Sequence, residues 1–257
     1  MHFLVTNDDG IESMFLHELV RALLAAGHRL DVVAPRHEQS WVGAGKSRAR
    51  PVRSAIEERG LQCPTWVVDG TPSDCVNIAL DHLLAVTPDA VLSGINMGLN
   101  TSLGFILASG TLAGAWEGAL HGLPAVGFSQ QISDQDYERL KAEPKAVLPS
   151  LVNTLRVSAT HAAHLGPALA ARTAKNAFVV HNINFPVGCT PLTQTRLTVP
   201  ARVLVPKLFT PKAVDGTHSL VFNPGLDLSP GHLATDKGAI DAGFISHSRL
   251  DYSVLGH

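Results

Sequence analysis

Several features that define common protein classes are scarce in this sequence or missing from it. The chain has three cysteines in 257 residues and no CxxC pair, which argues against a zinc site and predicts free thiols in a reducing cytoplasm. It has no apolar run long enough to span a bilayer and no signal-peptide pattern after Met1. Its net charge of −2, without a basic stretch, gives no electrostatic basis for binding nucleic acid or an anionic membrane. We therefore expect a cytoplasmic globular protein with no nucleic-acid or membrane partner.

Motifs of several common enzyme classes are also missing. The sequence contains no GxSxG nucleophile elbow, no P-loop lysine motif and no GxGxxG opening. These absences argue against a serine hydrolase with that elbow, a P-loop nucleotide hydrolase and a dinucleotide-binding enzyme.

The first half of the sequence alternates short apolar segments typical of strands with amphipathic segments typical of helices. This alternation predicts an α/β fold, a three-layer α/β/α sandwich whose mostly parallel sheet carries helices on both faces. Residues 190–232 hold many prolines and glycines among short β-like runs, which predicts a hairpin or extended arm. We expect a single domain over residues 1–257, with a core to about residue 190 and a C-terminal extension that packs on another subunit.

Two adjacent carboxylates, Asp8 and Asp9, follow the first predicted strand. In open α/β sheets, ligands bind just beyond the carboxyl ends of the strands. Two neighbouring negative charges repel each other, and a cation between them keeps both ionised. In the alternative interpretation, one aspartate caps a turn and the other is solvated. The pair favours a site for a hard metal ion.

Further oxygen-bearing side chains follow two other predicted strands. Ser40 lies in a long polar loop after the second strand, and Asn96 lies in a glycine-rich turn after a later one. Each of them alone is more often a turn residue than a ligand. Two carboxylates, one hydroxyl and one amide oxygen form an all-oxygen set that suits Mg²⁺ or Mn²⁺ better than Zn²⁺ or Cu²⁺.

Two segments have the pattern of a helix N-terminus. Ser109-Gly110-Thr111 precedes a predicted helix, where it provides either simple capping or an anion-binding turn. Thr71 and Asp74 flank Pro72 at the start of another predicted helix, and we interpret them as a structural cap, with a place for Asp74 in or next to the substrate pocket as the alternative.

Five motifs occur in an order and spacing that resemble the SurE survival-protein family of metal-dependent nucleotidases. The likeness covers residues 1–130 most strongly, and later it persists around residues 182–186 and 235–246. The motifs are Thr6–Ile11, Val33–Pro35 with Glu38–Ser40, Asp69–Cys75, Ser93–Asn96 with Gly98 and Asn100, and Ser109–Thr111.

The resemblance implies a Rossmann-like core and homodimers or homotetramers built partly by exchange of C-terminal segments. It also implies hydrolysis of nucleoside 5′- and 3′-monophosphates, with short polyphosphate as a further substrate of some members. One Mg²⁺ or Mn²⁺ per subunit is expected. By motif position, the metal ligands are Asp8, Asp9, Ser40 and Asn96, the catalytic pair is Asp8 and Asp9, and the phosphate or substrate contacts are Asn7, Ser109, Gly110, Thr111 and Trp41.

Trp41 departs from the family pattern, because many members carry glycine directly after the serine ligand. Its bulky ring would either stack on a base or narrow the pocket. The sequence also leaves the nucleophile open, since a metal-activated water and the Asp8 carboxylate both fit.

Two rival interpretations remain. A non-catalytic metal and nucleotide sensor would have the same fold and the same ligands. A phospho-acceptor receiver domain also places paired acids after its first strand, but it expects an acceptor aspartate at a later strand end, where this chain has Ser93-Gly94 and Ser129.

Overall fold

The computed structural model describes residues 1–142, 149–221, 223 and 225–254. Within this part of the chain, a nine-stranded sheet with the order β3-β4-β2-β1-β5-β6-β7-β11-β8 forms the middle layer. Its strands are β1 (His2–Thr6), β2 (Arg29–Pro35), β3 (Ser54–Ile56), β4 (Thr65–Val68), β5 (Ala90–Met97), β6 (Ala125–Gln130), β7 (Val179–Phe185), β8 (Thr195–Thr198) and β11 (Ile245–Asp251). Six of them, β4-β2-β1-β5-β6-β7, run parallel, while β3 and β11 are antiparallel to the neighbours β4 and β7. The expected α/β class with a mostly parallel sheet is confirmed.

Helices cover both faces of the sheet, because alternate side chains of the central strands point to opposite sides. On β1, Phe3 and Val5 join the core beneath α1 and α6, whereas Leu4 joins the core beneath α2. The helices are α1 (Met14–Ala25), α2 (Pro72–Ile78), α3 (Leu103–Ala108), α4 (Gly110–Leu120), α5 (Asp134–Ala142), α6 (Pro149–Arg172) and α7 (Asp236–Asp241), with a π-helical turn at Ala79–Leu83 and a 3₁₀ turn at Tyr252–Val254. In the described part of the chain, no helix combines the length and the hydrophobicity needed to cross a membrane.

Helix α4 packs unusually close to the sheet through small residues. A Cβ at Gly118 would lie 2.5 Å from Cγ2 of Val91, and one at Gly114 would lie 2.9 Å from Cγ2 of Thr6. Only glycine allows this approach. The packing brings the start of α4 to the carboxyl end of β1.

The carboxyl ends of β2, β1 and β5 lie side by side, since β1 pairs in parallel with both neighbours. The loops that follow these three strands therefore leave the sheet at one edge, as expected from the sequence. This edge carries the candidate site.

The C-terminal quarter both extends the main sheet and leaves it. Strands β8 and β11 lie in the segment expected to form the extension, but they belong to the main sheet, where β11 pairs with both β7 and β8. Between β8 and β11 in the chain, β9 (Val203–Leu204) and β10 (Leu226–Asp227) form a separate antiparallel ribbon. Many apolar side chains of this segment are exposed, including Leu192, Leu204, Phe209 and Val214. The boundary near residue 190 stays a prediction.

Candidate metal and phosphate site

Asp8 and Asp9 are held by two different elements at the end of β1. The hydroxyl of Thr111, at the start of α4, donates a hydrogen bond of 2.5 Å to Oδ1 of Asp8, which is only 4% exposed. The backbone N–H of Met97, at the end of β5, donates to Oδ2 of Asp9 at 2.8 Å. The neighbouring carboxylates are thus fixed in place, each by a donor from outside its own loop.

Burial makes ionisation of both carboxylates unfavourable. Desolvation raises the pKa of Asp8 from 3.8 to about 6, although the hydrogen bond from Thr111 acts in the opposite direction. Desolvation also raises the pKa of Asp9 well above 3.8, and the charge of Asp8 raises it further. The charge of Glu38 adds to both effects. A cation beside the pair would remove most of this penalty.

The other two predicted ligands, Ser40 and Asn96, offer neutral oxygens rather than imidazoles or thiolates. No group of three or more His, Cys, Asp or Glu side chains suited to a metal ion occurs within residues 1–142, 149–221, 223 and 225–254. An ion at the acidic pair would therefore complete its coordination with hydroxyl, amide or backbone oxygens. Such a donor set fits Mg²⁺ or Mn²⁺.

The loop that carries Ser40 lies directly on the acidic pair. The backbone N–H of Gln39 donates to the carbonyl oxygen of Asp8 at 2.7 Å, which places Ser40 one residue from this contact. The Ser40 hydroxyl is exposed and donates to Oε1 of Glu38 at 2.7 Å. Sequence reasoning gave Glu38 no role. Its position two residues before Ser40, in a loop at the same sheet edge, was the available signal.

The far end of this loop is anchored on α2 and α4. The ammonium group of Lys46 pairs with the carboxylate of Glu117, which is 2% exposed and also accepts a hydrogen bond of 2.9 Å from Asn77. The Thr71 hydroxyl donates to the carbonyl oxygen of Gly45 at 2.7 Å. These contacts limit the freedom of the segment that presents Ser40.

The turn expected around Asn96 is wrong, because β5 continues to Met97 and Asn96 pairs with Ser129 of β6 after a register shift that follows Ser93. The amide nitrogen of Asn96 donates to the carbonyl oxygen of Gly98 at 3.0 Å, so the amide oxygen is the atom with lone pairs for a cation. Asn96 is the chain neighbour of Met97, whose N–H binds Asp9. The structure thus brings the backbone around Asn96 to the acidic pair.

The predicted phosphate turn adjoins Asp8. The Ser109 hydroxyl accepts a hydrogen bond from the N–H of Leu112 at 3.1 Å, and thereby caps α4 as expected. A Cβ at Gly110 would lie 2.7 Å from Cβ of Asp8. The backbone of Thr111 also lowers the pKa of Asp8 by hydrogen bonding. The start of α4 therefore directs its positive end toward this carboxylate.

Asn7 shapes the turn that presents the carboxylates. Its amide nitrogen donates to the carbonyl oxygen of Gly10 at 2.9 Å. Its amide oxygen is buried and has no hydrogen-bond partner among the described residues.

Trp41 lies at the rim of the site. It is 42% exposed, and its indole meets the Phe105 ring edge-on at 5.5 Å between centroids.

The structural interpretation of Thr71 and Asp74 is confirmed. The Thr71 hydroxyl accepts from the N–H of Asp74, and the Asp74 carboxylate accepts from the N–H of Thr71, which closes a capping box at the start of α2. Asp74 also accepts from the N–H of Ser47 at 3.1 Å, so it helps to hold the loop after β2.

A buried amide network ties the site to the second half of the chain. The N–H of Asn100 donates to Oδ1 of Asn184 at 2.9 Å, and its side chain donates to the Ser129 hydroxyl at 2.8 Å. Asn182 donates to the carbonyl oxygen of Asn100 at 2.8 Å. Sequence reasoning recorded these asparagines only as motif positions.

Comparison of the sequence with known proteins identifies relatives of this chain. A sequence model described as survival protein SurE matches residues 3–204. The 5′-nucleotidase SurE of Nostoc sp. is 45% identical over 131 residues, which are 50% of this chain and 49% of that protein. The 5′-nucleotidase SurE of Desulforudis audaxviator is 40% identical over 152 residues, or 58% of each chain. The chain thus spans about half the length of the curated relatives it matches.

A solved structure shows the same fold over nearly the whole chain. The SurE protein of Aquifex aeolicus superimposes with a TM-score of 0.74 at 24% identity, covering 98% of this chain and 93% of that one. The family resemblance noted from the motifs is confirmed by the match over residues 3–204. The chain belongs to the SurE survival-protein family.

Proposed function

We propose that the protein is a divalent-metal-dependent phosphomonoesterase that hydrolyses nucleoside 5′- and 3′-monophosphates, with short polyphosphate as a further substrate. The observation that carries this proposal is the buried pair Asp8 and Asp9 beside the start of α4. Two desolvated carboxylates next to an anion-attracting helix start suit a cation and a phosphate together. The name 5′-nucleotidase, which the matched relatives carry, supports the same reaction.

The four proposed ligands of one Mg²⁺ or Mn²⁺ per subunit are Asp8, Asp9, Ser40 and Asn96. When bound, the ion supplies positive charge that neutralises the phosphate and polarises its oxygens. Support for this set comes from two backbone contacts, Gln39 to Asp8 and Met97 to Asp9, which bring the loops of Ser40 and Asn96 to the acidic pair.

The chain's own groups orient the reacting parts. The Thr111 hydroxyl holds the Asp8 carboxylate in one orientation. The N-terminal end of α4, at Ser109, Gly110 and Thr111, attracts the phosphate oxygens through its N–H groups and dipole. The nucleophile is either water or the Asp8 carboxylate, and acid quenching during turnover of a nucleotide carrying ³²P in its phosphate distinguishes them. Attack by Asp8 expels the nucleoside and leaves labelled phosphate bound to the protein until hydroxylamine releases it, whereas direct attack by water labels only free phosphate.

A substrate panel with matched variants tests the proposal. Purified protein is assayed for phosphate release from nucleoside monophosphates and polyphosphate with Mg²⁺, Mn²⁺ or a chelator. Asp9→Asn should abolish release, whereas Asp69→Asn should not, because Asp69 also follows a strand but is half exposed and paired with Arg50. Undiminished release in the presence of chelator, or from Asp9→Asn, would contradict the assignment. Metal-dependent AMP binding without any release would instead indicate the sensor.

We also propose that the protein is a homodimer or homotetramer. The exposed apolar side chains of the C-terminal segment, such as Leu192 at 88% exposure, support this because burying them against a second copy is favourable. Sedimentation velocity measures the assembly state, and a monomer at micromolar concentration would contradict it.

A further inference from the structure

An aromatic pair stands at the rim of the site. Trp41 comes directly after Ser40, and Phe105 lies on α3, four residues before Ser109. The rings meet edge-on, with an interplanar angle of 74°, so the edge of one ring packs against the face of the other. Because Trp41 remains 42% exposed, part of its indole is open to a ligand.

The backbone at Trp41 is one that folding alone does not favour. Its φ is +65°, in the left-handed region that glycine adopts freely and bulky residues rarely adopt. Glycine would form the same turn with less strain and would expose no large apolar surface. A tryptophan at such a position points to a use for the ring itself.

Two close backbone contacts hold the pair beside the phosphate turn. The N–H of Gly43 donates to the carbonyl oxygen of Ala108 at 3.0 Å. A Cβ at Gly43 would lie 2.9 Å from the carbonyl oxygen of Leu107. The loop after Trp41 therefore packs closely against the C-terminal end of α3, which is followed directly by Ser109.

We propose that Trp41, supported by Phe105, is a stacking platform for the base of a nucleotide whose phosphate lies at the start of α4. This inference rests on the proposed function. It assigns to Trp41 the preference for nucleotides over phosphate esters that have no base. Stacking on an aromatic side chain strengthens binding of one base about 5- to 150-fold.

The test compares two substrates that share the phosphate ester but differ in the base. The measured quantity is the ratio of kcat/KM for AMP to kcat/KM for glycerol phosphate. Trp41→Gly, which removes the ring and relaxes the backbone, should lower this ratio about 5- to 150-fold. Trp41→Phe should lower it less. Trp66→Phe, on β4, is the control and should leave the ratio at the wild-type value.

A second apolar site near the turn provides a rival location for the base. It is a cavity of about 120 Å³, lined by Ile106, Leu107, Leu112, Ala113, Trp116 and Tyr252 together with Ser109 and Ala44. Trp116→Leu tests it. A lower ratio in Trp116→Leu with an unchanged ratio in Trp41→Gly would place the base in the cavity and overturn the platform.

A binding measurement separates failure of the platform from failure of the proposed function. Intrinsic tryptophan fluorescence is titrated with AMP in the wild type and in Trp41→Gly. Quenching that disappears in Trp41→Gly supports the platform, even if neither ester is hydrolysed and the proposed function fails. Equal quenching in both proteins overturns the platform, whatever the catalytic result.

Discussion

Replacing Asp8 with asparagine should stabilise the metal-free protein while it abolishes catalysis. Asp8 is buried, and desolvation raises its pKa from 3.8 to about 6. At about 1.4 kcal/mol per pKa unit, this corresponds to up to about 3 kcal/mol against the ionised folded state. Asparagine cannot ionise, and its amide oxygen still accepts the hydrogen bond from Thr111.

The pH dependence of this effect has a definite sign. The folded state holds a proton on Asp8 up to about pH 6, whereas the unfolded chain loses it near pH 3.8. The contribution of Asp8 to wild-type stability therefore falls as the pH rises from 3.8 to about 6, and its full cost is present at pH 7. The Asp8→Asn variant lacks this contribution, so its advantage should shrink as the pH is lowered through that interval.

Urea denaturation followed by circular dichroism measures the free energy of unfolding. With chelator at pH 7, Asp8→Asn should exceed the wild type by up to about 3 kcal/mol. Added Mn²⁺ should raise the free energy of unfolding of the wild type by an amount that grows with the logarithm of the Mn²⁺ concentration above its dissociation constant. It should leave the free energy of unfolding of Asp8→Asn unchanged. A variant that is less stable than the wild type without metal, or that still hydrolyses AMP, would refute the reasoning.

Three further perturbations follow from individual contacts. Gly110→Ala should lower kcat/KM for AMP at least about tenfold, since its Cβ would collide with the first carboxylate of the acidic pair, while Gly104→Ala, with open space around its Cβ, should remain active. Lys46→Met should lower the unfolding free energy by about 1–2 kcal/mol in urea titrations, because it leaves the buried Glu117 without its cation while the half-exposed Lys46 itself contributes little, and adding Glu117→Gln should recover most of the loss. Burial lowers the pKa of His181 from 6.5 to about 4, so the contribution of this histidine to thermal stability should be lost as the pH drops from 6.5 toward 4, and the difference between the wild type and His181→Asn should change over that interval.

The sequence was sufficient to place the acidic pair, because parallel strands end at one edge whatever their order. Asp8 follows β1 and Asn96 lies near the end of β5, and the two strands are neighbours in the sheet, so the polar residues near the two strand ends were enough to indicate the candidate site. The cap at Ser109 was equally local, since a helix start depends on few residues. Such features are encoded within short segments of the chain.

Features that depend on long-range packing could not be predicted in this way. Glu38 enters the site only through the path of its loop, and Phe105 meets Trp41 only through the packing of α3. Strand β11 joins the main sheet next to β7, more than fifty residues away, and no local pattern in residues 245–251 specifies that partner.

The segment that leaves the main sheet after β8 begins and ends at residues that lie close together. The N–H of Val199 donates to Ala234 and the N–H of Asp236 donates to Val199, both at 2.9 Å. Because these bonds close the base of the segment, its length beyond them can change without breaking them, and loop-closure entropy grows only slowly with added length. The exposed turn around Asp215 and Gly216 is accordingly a suitable place to insert an affinity tag or a fluorophore while the main sheet stays intact.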